Sequence, residues 1–114
     1  MSGNVKFDKW VNDDNSENYK CRAWVNFNGT GTVAIRASGN VNSITDLGVG
    51  QYQVNYTTAM VDAESAVTYG FNNQASNVGS HIKTSAYSSS FIAIQKFENG
   101  SVTDCSYISV VIFR

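Results

Sequence analysis

From Cys21 onward, apolar and polar positions trade places at every second residue. Cys21, Ala23, Val25 and Phe27 alternate with Arg22, Trp24 and Asn26, and Val33, Ile35 and Ala37 with Thr32, Ala34 and Arg36. Tyr52, Val54 and Tyr56 alternate with Gln51, Gln53, Asn55 and Thr57, and Val67, Tyr69 and Phe71 with Ala66, Thr68 and Gly70. A period of two predicts half-buried strands, because successive side chains of a strand point to opposite faces. Further strands are expected over 41–45, 81–86, 91–97 and 105–113. Turn residues punctuate the series: Asn28-Gly29, Ser38-Gly39-Asn40, Gly48-Val49-Gly50, Asn72-Asn73, Gly79-Ser80 and Asn99-Gly100. Asn-Gly is a strong hairpin signal, since both residues tolerate positive φ. No window has a helical period. "AMVDAESA", residues 59–66, has the composition of one helical turn but serves equally as a polar connection. The predicted fold is all-β, an antiparallel sandwich of about seven or eight short strands over residues 21–114. Residues 1–20 read as a polar lead-in segment in which Phe7, Trp10 and Val11 are the apolar exceptions.

The 114 residues suffice for one domain. Only 15% are charged and the net charge is −1. The chain therefore has no electrostatic pull toward nucleic acid or anionic lipid. Apolar runs fall far short of the roughly 20 residues that span a bilayer, so membrane insertion is not expected. The first residues lack the apolar stretch of a signal peptide. Cys21 and Cys105 fit no CxxC pattern. They are either a disulfide tying the first strand to the last or two thiols on neighbouring strands.

Candidate chemistry is sparse. Gly29-Thr30-Gly31 invites comparison with phosphate-binding loops, but those need a helix after the glycines, and "TVAIRA" is β-branched and alternating. A hairpin turn explains these glycines better. His81 is the lone histidine and no G-x-S-x-G elbow accompanies it. Asp62 with Glu64, and Asp13 with Asp14, are close acid pairs, yet glycosidases need carboxylates about 5–9 Å apart across a cleft, and solvated turns suit these better. "NDDNSEN", residues 12–18, has oxygen donors without the spacing of a calcium loop. No catalytic residue, cofactor or metal is expected.

One stretch points further. The run "AWVNFNGTGTVAIR", Ala23 to Arg36, continues through Val41, Ser43-Ile44-Thr45-Asp46, Gly48, Gly50, Tyr52, Val54-Asn55 and Thr57-Thr58-Ala59-Met60. With the closing "DCSYISVVIFR", Asp104 to Arg114, it resembles the C-terminal region of tail fibre and tail-tip proteins of bacteriophages, marine ones especially. The likeness covers about half the chain; residues 61–103 depart from it. It implies a virion component assembled in the host cytoplasm, a homotrimer, and a role in attachment to a bacterial surface glycan or protein receptor.

The last strand bears on assembly. Ile108, Val110 and Ile112 share one face, and Tyr107, Val111 and Phe113 the other. Phe91 to Phe97 is similar, with Ile92 and Ile94 opposite Phe91, Ala93 and Phe97. Antiparallel sheets usually expose one face to water, so strands apolar on both faces need a cover. The cover is either a second copy of the chain or a flap formed by residues 1–19. Phe91, Ile92, Ile94, Tyr107, Val111 and Phe113 are the candidate subunit contacts. Asn72, Asn73, Gln74, Asn77, His81 and Tyr87, in or beside polar loops, are the candidate receptor contacts. The readings that remain are adhesion, a purely structural trimerisation or capping module, and a polysaccharide-cutting enzyme, the least favoured.

Overall fold

A computed structural model describes residues 3, 4, 6, 8–17, 19, 21–72 and 80–114. Among them are nine strands and no helix: β1 (Cys21–Asn28), β2 (Ala34–Gly39), β3 (Val41–Gly48), β4 (Gln51–Tyr56), β5 (Ala66–Phe71), β6 (His81–Tyr87), β7 (Phe91–Glu98), β8 (Ser101–Val102) and β9 (Ile108–Phe113). They form two antiparallel sheets. One runs β2-β1-β9-β5; the other runs β3-β4-β7-β6, with β8 paired to β7. The chain changes sheet between β2 and β3, β4 and β5, β5 and β6, and β8 and β9. This is the all-β sandwich expected from the period-two pattern. The 59–66 stretch contains no helix.

The turns explain the boundaries. Asn28 Oδ1 accepts hydrogen bonds from the Thr30 N–H and hydroxyl, closing the β1–β2 connection, and Gly31 takes φ of 58°. Gly29-Thr30-Gly31 thus joins two paired strands, with no helix after it to hold a phosphate. Asn99 and Gly100 both have positive φ and turn β7 into β8.

The core lies between the sheets. Ala23, Val25 and Phe27 of β1 and Ile108, Val110 and Ile112 of β9 face Tyr52, Val54 and Tyr56 of β4 and Ile92 and Ile94 of β7. The Phe27 and Tyr52 rings meet edge to face, centroids 5.2 Å apart. Burying each such side chain contributes about 1.5–3 kcal/mol. Ile92 and Ile94 are fully buried here, so they fill the protomer's own core and are not available to a neighbouring subunit. The parity of β7 decides this: Tyr52 pairs with Ile94 and Val54 with Ile92, and all four point inward.

The cysteines are free. Cys21 opens β1 beside Phe113, whereas Cys105 is buried near Gly29, past the other end of β1. A disulfide between the first strand and the segment before the last is therefore excluded in this fold.

Candidate functional site

The two outer faces differ in chemistry. On the β2-β1-β9-β5 sheet, Trp24 and Asn26 lie beside Val111 and Ser109, which in turn lie beside Thr68 and Gly70. Trp24, Tyr107 and Phe113 are each about half exposed, at 42%, 51% and 39%. The Trp24 indole is laid flat over Gly39, where any Cβ would collide with its ring nitrogen. The Arg36 guanidinium stacks 3.7 Å from the centre of the Tyr107 ring. The surface mixes apolar rings with polar groups: Asn26 Nδ2 donates to the Ser109 hydroxyl at 3.0 Å between the Val111 and Tyr107 positions, and Arg36 covers one face of the Tyr107 ring.

The outer face of the other sheet carries a band of amides and hydroxyls beside the Phe97 ring, which His81 and Lys83 flank. Asn55 Nδ2 donates to the Ser43 and Thr45 hydroxyls, Gln53 Nε2 donates to Asn55 Oδ1, and Gln95 Nε2 reaches Gln51 Oε1. These bonds tie β3, β4 and β7 together across the face. Phe91 lies half buried at its margin, and Ala93, small and flanked by Gln53 and Ala86, is buried. Phe91 and Val111 accordingly belong to opposite sides of the sandwich. One flat contact surface cannot contain both, because their strands lie in different sheets. Tyr107, Val111 and Phe113 remain as a coherent set. In the described part of the lead-in, Trp10 and Tyr19 are themselves exposed, and Glu17 and Tyr19 line a hollow beside Phe113; Phe7 lies outside the described residues.

The candidate receptor contacts do not converge. Asn73, Gln74 and Asn77 lie outside the described residues. Asn72 is committed to its own chain: its Oδ1 accepts from the Tyr107 N–H at 3.0 Å and its Nδ2 donates to the Ser106 hydroxyl at 3.1 Å. His81 stacks on Phe97 at 5.0 Å, at the start of β6, while Tyr87 ends that strand. At about 3.3 Å per residue along a strand, the two are too far apart to grip one small ligand.

A groove that pattern reading missed lies at the end of the sandwich where β1 begins and β9 ends. Its volume is about 400 Å³, and Arg22, Asn40, Thr58, Ala59, Met60, Val61 and Arg114 line it. Asn40, with φ of 57°, pins its floor: Nδ2 donates to the Arg22 and Thr58 carbonyls and Oδ1 accepts from the Thr58 N–H. The Met60 N–H donates to the Ser89 carbonyl, so the neighbouring hairpin fixes the wall. Arg22 Nε donates to the main-chain oxygen of Arg114 at 3.0 Å. Arg114 grips Asp62 with two parallel bonds of 2.6 Å.

That grip holds the Asp62 carboxyl down to about 2, from 3.8, with help from the Glu64 N–H. A depressed carboxyl stabilises the fold above its unfolded value and loses that contribution as pH falls through its folded one. The Asp62–Arg114 link is thus expected to hold at pH 4 and to open near pH 2. A carboxyl-carbon NMR titration of Asp62 checks this; a midpoint close to 4 would refute the pairing in solution. Because Asp62 is exposed, the effect on global stability is small.

The opposite end is a buried polar cluster. The Tyr52 hydroxyl lies 2.7 Å from the Gly29 carbonyl and 2.9 Å from Asp104 Oδ1, so its single proton donates to one of them at a time, and Asp104 also accepts from the Gly50 N–H at 2.8 Å. Burial, reinforced by the Asp104 carboxylate, pushes the Tyr52 phenol well above its ordinary value. Lys96 is wholly buried beside this cluster. Its Nζ reaches the Thr103 hydroxyl at 3.2 Å and lies 5.5 Å from the centre of the Phe71 ring.

Among the described residues no group of three or more His, Cys, Asp or Glu side chains is placed to hold a metal ion. The chain matches no family model, no curated protein and no solved structure.

Proposed function

We propose that this chain is a non-catalytic structural and adhesive domain at the distal end of a bacteriophage tail fibre. It acts as a homotrimer that meets a glycan or protein receptor on the bacterial surface. The sequence likeness of residues 23–60 and 104–114 to such fibres motivates the reading. The observation that carries it is the half-exposed cluster of Trp24, Val111 and Phe113 on one outer face, with Tyr107 at its margin under Arg36. Large apolar side chains left exposed on one face favour a contact with another protein. Three copies that turn this face inward cover one another and leave the polar amide face outward. Trimerisation also serves adhesion, because weak sites presented together gain avidity without any new contact.

A second reading, a trimerisation or capping module that leaves recognition to other parts of the fibre, draws support from the candidate receptor contacts. Asn72 is spent on its own chain, and His81 and Tyr87 stand at opposite ends of β6.

The test is the mass in solution by light scattering, followed by adsorption of the labelled domain to host cells. The wild-type chain is expected at three times its own mass. Val111→Glu, which places a charge in the middle of the apolar face, is expected to give single chains with an unchanged far-UV spectrum. Gln53→Glu on the opposite face is expected to leave the assembly intact. A single-copy wild-type particle, or equal sensitivity of the two faces, would overturn the proposal. Adsorption by the trimer separates adhesion from a purely structural role.

A further inference from the structure

Two Asn-Gly pairs mark turns in this chain, Asn28-Gly29 and Asn99-Gly100. Such a pair carries a reaction of its own. The main-chain nitrogen of the glycine loses its proton to solvent base and attacks the asparagine Cγ. A C–N bond forms and the side-chain nitrogen leaves as ammonia, giving a five-membered cyclic imide. Water then opens the imide at either carbonyl. One opening gives aspartate; the other gives isoaspartate, in which the main chain runs through the former side chain. The net change is asparagine and water to an aspartyl residue and ammonia, with no oxidation. Glycine suits the step because no Cβ shields its nitrogen. In a folded chain the rate depends on whether the asparagine Cγ and the following nitrogen are free to meet.

The fold treats the two pairs oppositely. At Asn28-Gly29 both reacting groups are held. Asn28 Oδ1 accepts from the Thr30 N–H at 3.0 Å and from the Thr30 hydroxyl at 2.6 Å. The Gly29 N–H, which would supply the nucleophile, donates to the Cys105 carbonyl at 2.9 Å. Gly29 is buried, and a Cβ there would lie 2.7 Å from Tyr52 Cζ and 2.8 Å from the Cys105 carbonyl oxygen. Turning the Gly29 nitrogen toward the Asn28 Cγ would break these bonds and drive the peptide into the core.

At Asn99-Gly100 neither group is held. Both residues are exposed, and among the described residues no hydrogen bond engages the Gly100 N–H or the Asn99 amide. Nothing lies within 4 Å of a Cβ placed on Gly100. The φ values of 51° and 83° are those of a two-residue hairpin turn between Glu98 and Ser101. Closing the imide ring requires rotation about the Asn99 Cα–C bond, which opens this turn. Beyond the turn β8 is only two residues long, so two residue pairs, Phe97 with Val102 and Glu98 with Ser101, have to part. Short exposed ends of this kind open at little cost.

We infer that Asn99 is a site of spontaneous modification to aspartate and isoaspartate, and that the fold protects Asn28 from the same reaction. The product adds a negative charge beside Glu98, one of whose carboxylate oxygens is already buried without a hydrogen bond. The isoaspartyl form also lengthens the main chain by one carbon inside the turn, so Glu98 and Ser101 lose their register. The modification loosens the β7–β8 hairpin and leaves β1 and its turn untouched.

The experiment incubates the folded full chain in mildly alkaline buffer, beside a second sample in the same buffer with enough urea to unfold it. Trypsin then separates the two pairs: Asn28 falls in residues 23–36 and Asn99 in residues 97–114, where it is the sole asparagine. Fragment masses report the amide lost at each position, and enzymatic methylation of isoaspartyl carboxylates reports the isomer. In the folded chain Asn99 is expected to convert at least about tenfold faster than Asn28. In urea the two are expected to convert at comparable rates, because only the fold distinguishes them. Asn99→Gln, whose imide would need a six-membered ring, is expected to stop the reaction in residues 97–114. Amide NMR of the aged chain is expected to show new signals at Glu98, Ser101 and Val102 and none in β1. Equal rates at the two positions in the folded chain would overturn the inference. So would an Asn99 that keeps its amide in the folded chain while both positions convert in urea.

Discussion

Gly50→Ala is expected to cost about 2–5 kcal/mol of folding stability, a large share of the roughly 5–15 kcal/mol that holds a domain of this size. Two penalties add. Gly50 has φ of 65°, a left-handed conformation that costs an L-residue about 1–2 kcal/mol. A Cβ there would lie 2.6 Å from both the Thr103 nitrogen and the Thr103 carbonyl oxygen and 2.9 Å from the Lys96 carbonyl oxygen. All three are backbone atoms and cannot swing away, so the methyl group must push the β8–β9 connection outward, an overpacking cost of about 1–3 kcal/mol. The position is also a junction: the Gly50 N–H bonds Asp104 and its carbonyl accepts from the Lys96 N–H. Gly31→Ala separates the two penalties. Gly31 has a similar φ of 58° but nothing within 4 Å of a new Cβ, so it should lose only the conformational part, about 1 kcal/mol. Urea unfolding of both variants measures the difference. Equal losses would mean that the Thr103 backbone yields freely.

The strand map was legible because its cause is local. Eight predicted strands correspond to β1–β7 and β9; alternation marks β1, β2, β4 and β5, and Asn or Gly turns bound several of the eight. β8 was not legible, since two residues after Asn99-Gly100 carry no period. Which strands share a sheet depends on contacts distant in sequence, and that limited the reading of the site. Strand parity alone required Ile92 and Ile94 to oppose Phe91. Only the pairing of β7 with β4 shows which set turns inward. The same gap made Phe91 and Val111 look like members of one surface. The groove was invisible for a stronger reason: Arg22, Asn40, the 58–61 segment and Arg114 meet only because β1 lies against β9 and Asn40 adopts positive φ where the chain passes from one sheet to the other. One local signal existed in Ser38-Gly39-Asn40, but a turn signal does not announce what it will pin. The apolar outer side of β9 was legible in Tyr107, Val111 and Phe113, because the central strand of a sheet is read from both faces.

Lys96→Met is expected to stabilise the chain by about 1–3 kcal/mol, against the usual direction of core substitutions. The period that places Ile92 and Ile94 inward places Lys96 inward too, and it is fully buried. A lysine nitrogen carries up to three N–H donors. Among the described residues this one finds a single oxygen, the Thr103 hydroxyl, and the face of Phe71 at longer range. No carboxylate pairs with it in any ion pair among those residues. Burying an incompletely bonded polar group costs about 1–3 kcal/mol, which methionine removes while its unbranched stem fills nearly the same space and sets sulfur near an aromatic ring. Lys96→Ala tests the other half of the argument. It deletes the stem as well as the amine, so the cavity should destabilise by about 2–5 kcal/mol. Thermal and urea unfolding of the pair should therefore move in opposite directions from wild type. If methionine also destabilises by more than about 1 kcal/mol, the amine's bond to Thr103 outweighs its burial cost. In that case Lys96 would be a tie between β7 and the segment leading to Asp104, and the cluster of Tyr52, Gly50 and Asp104 would depend on it.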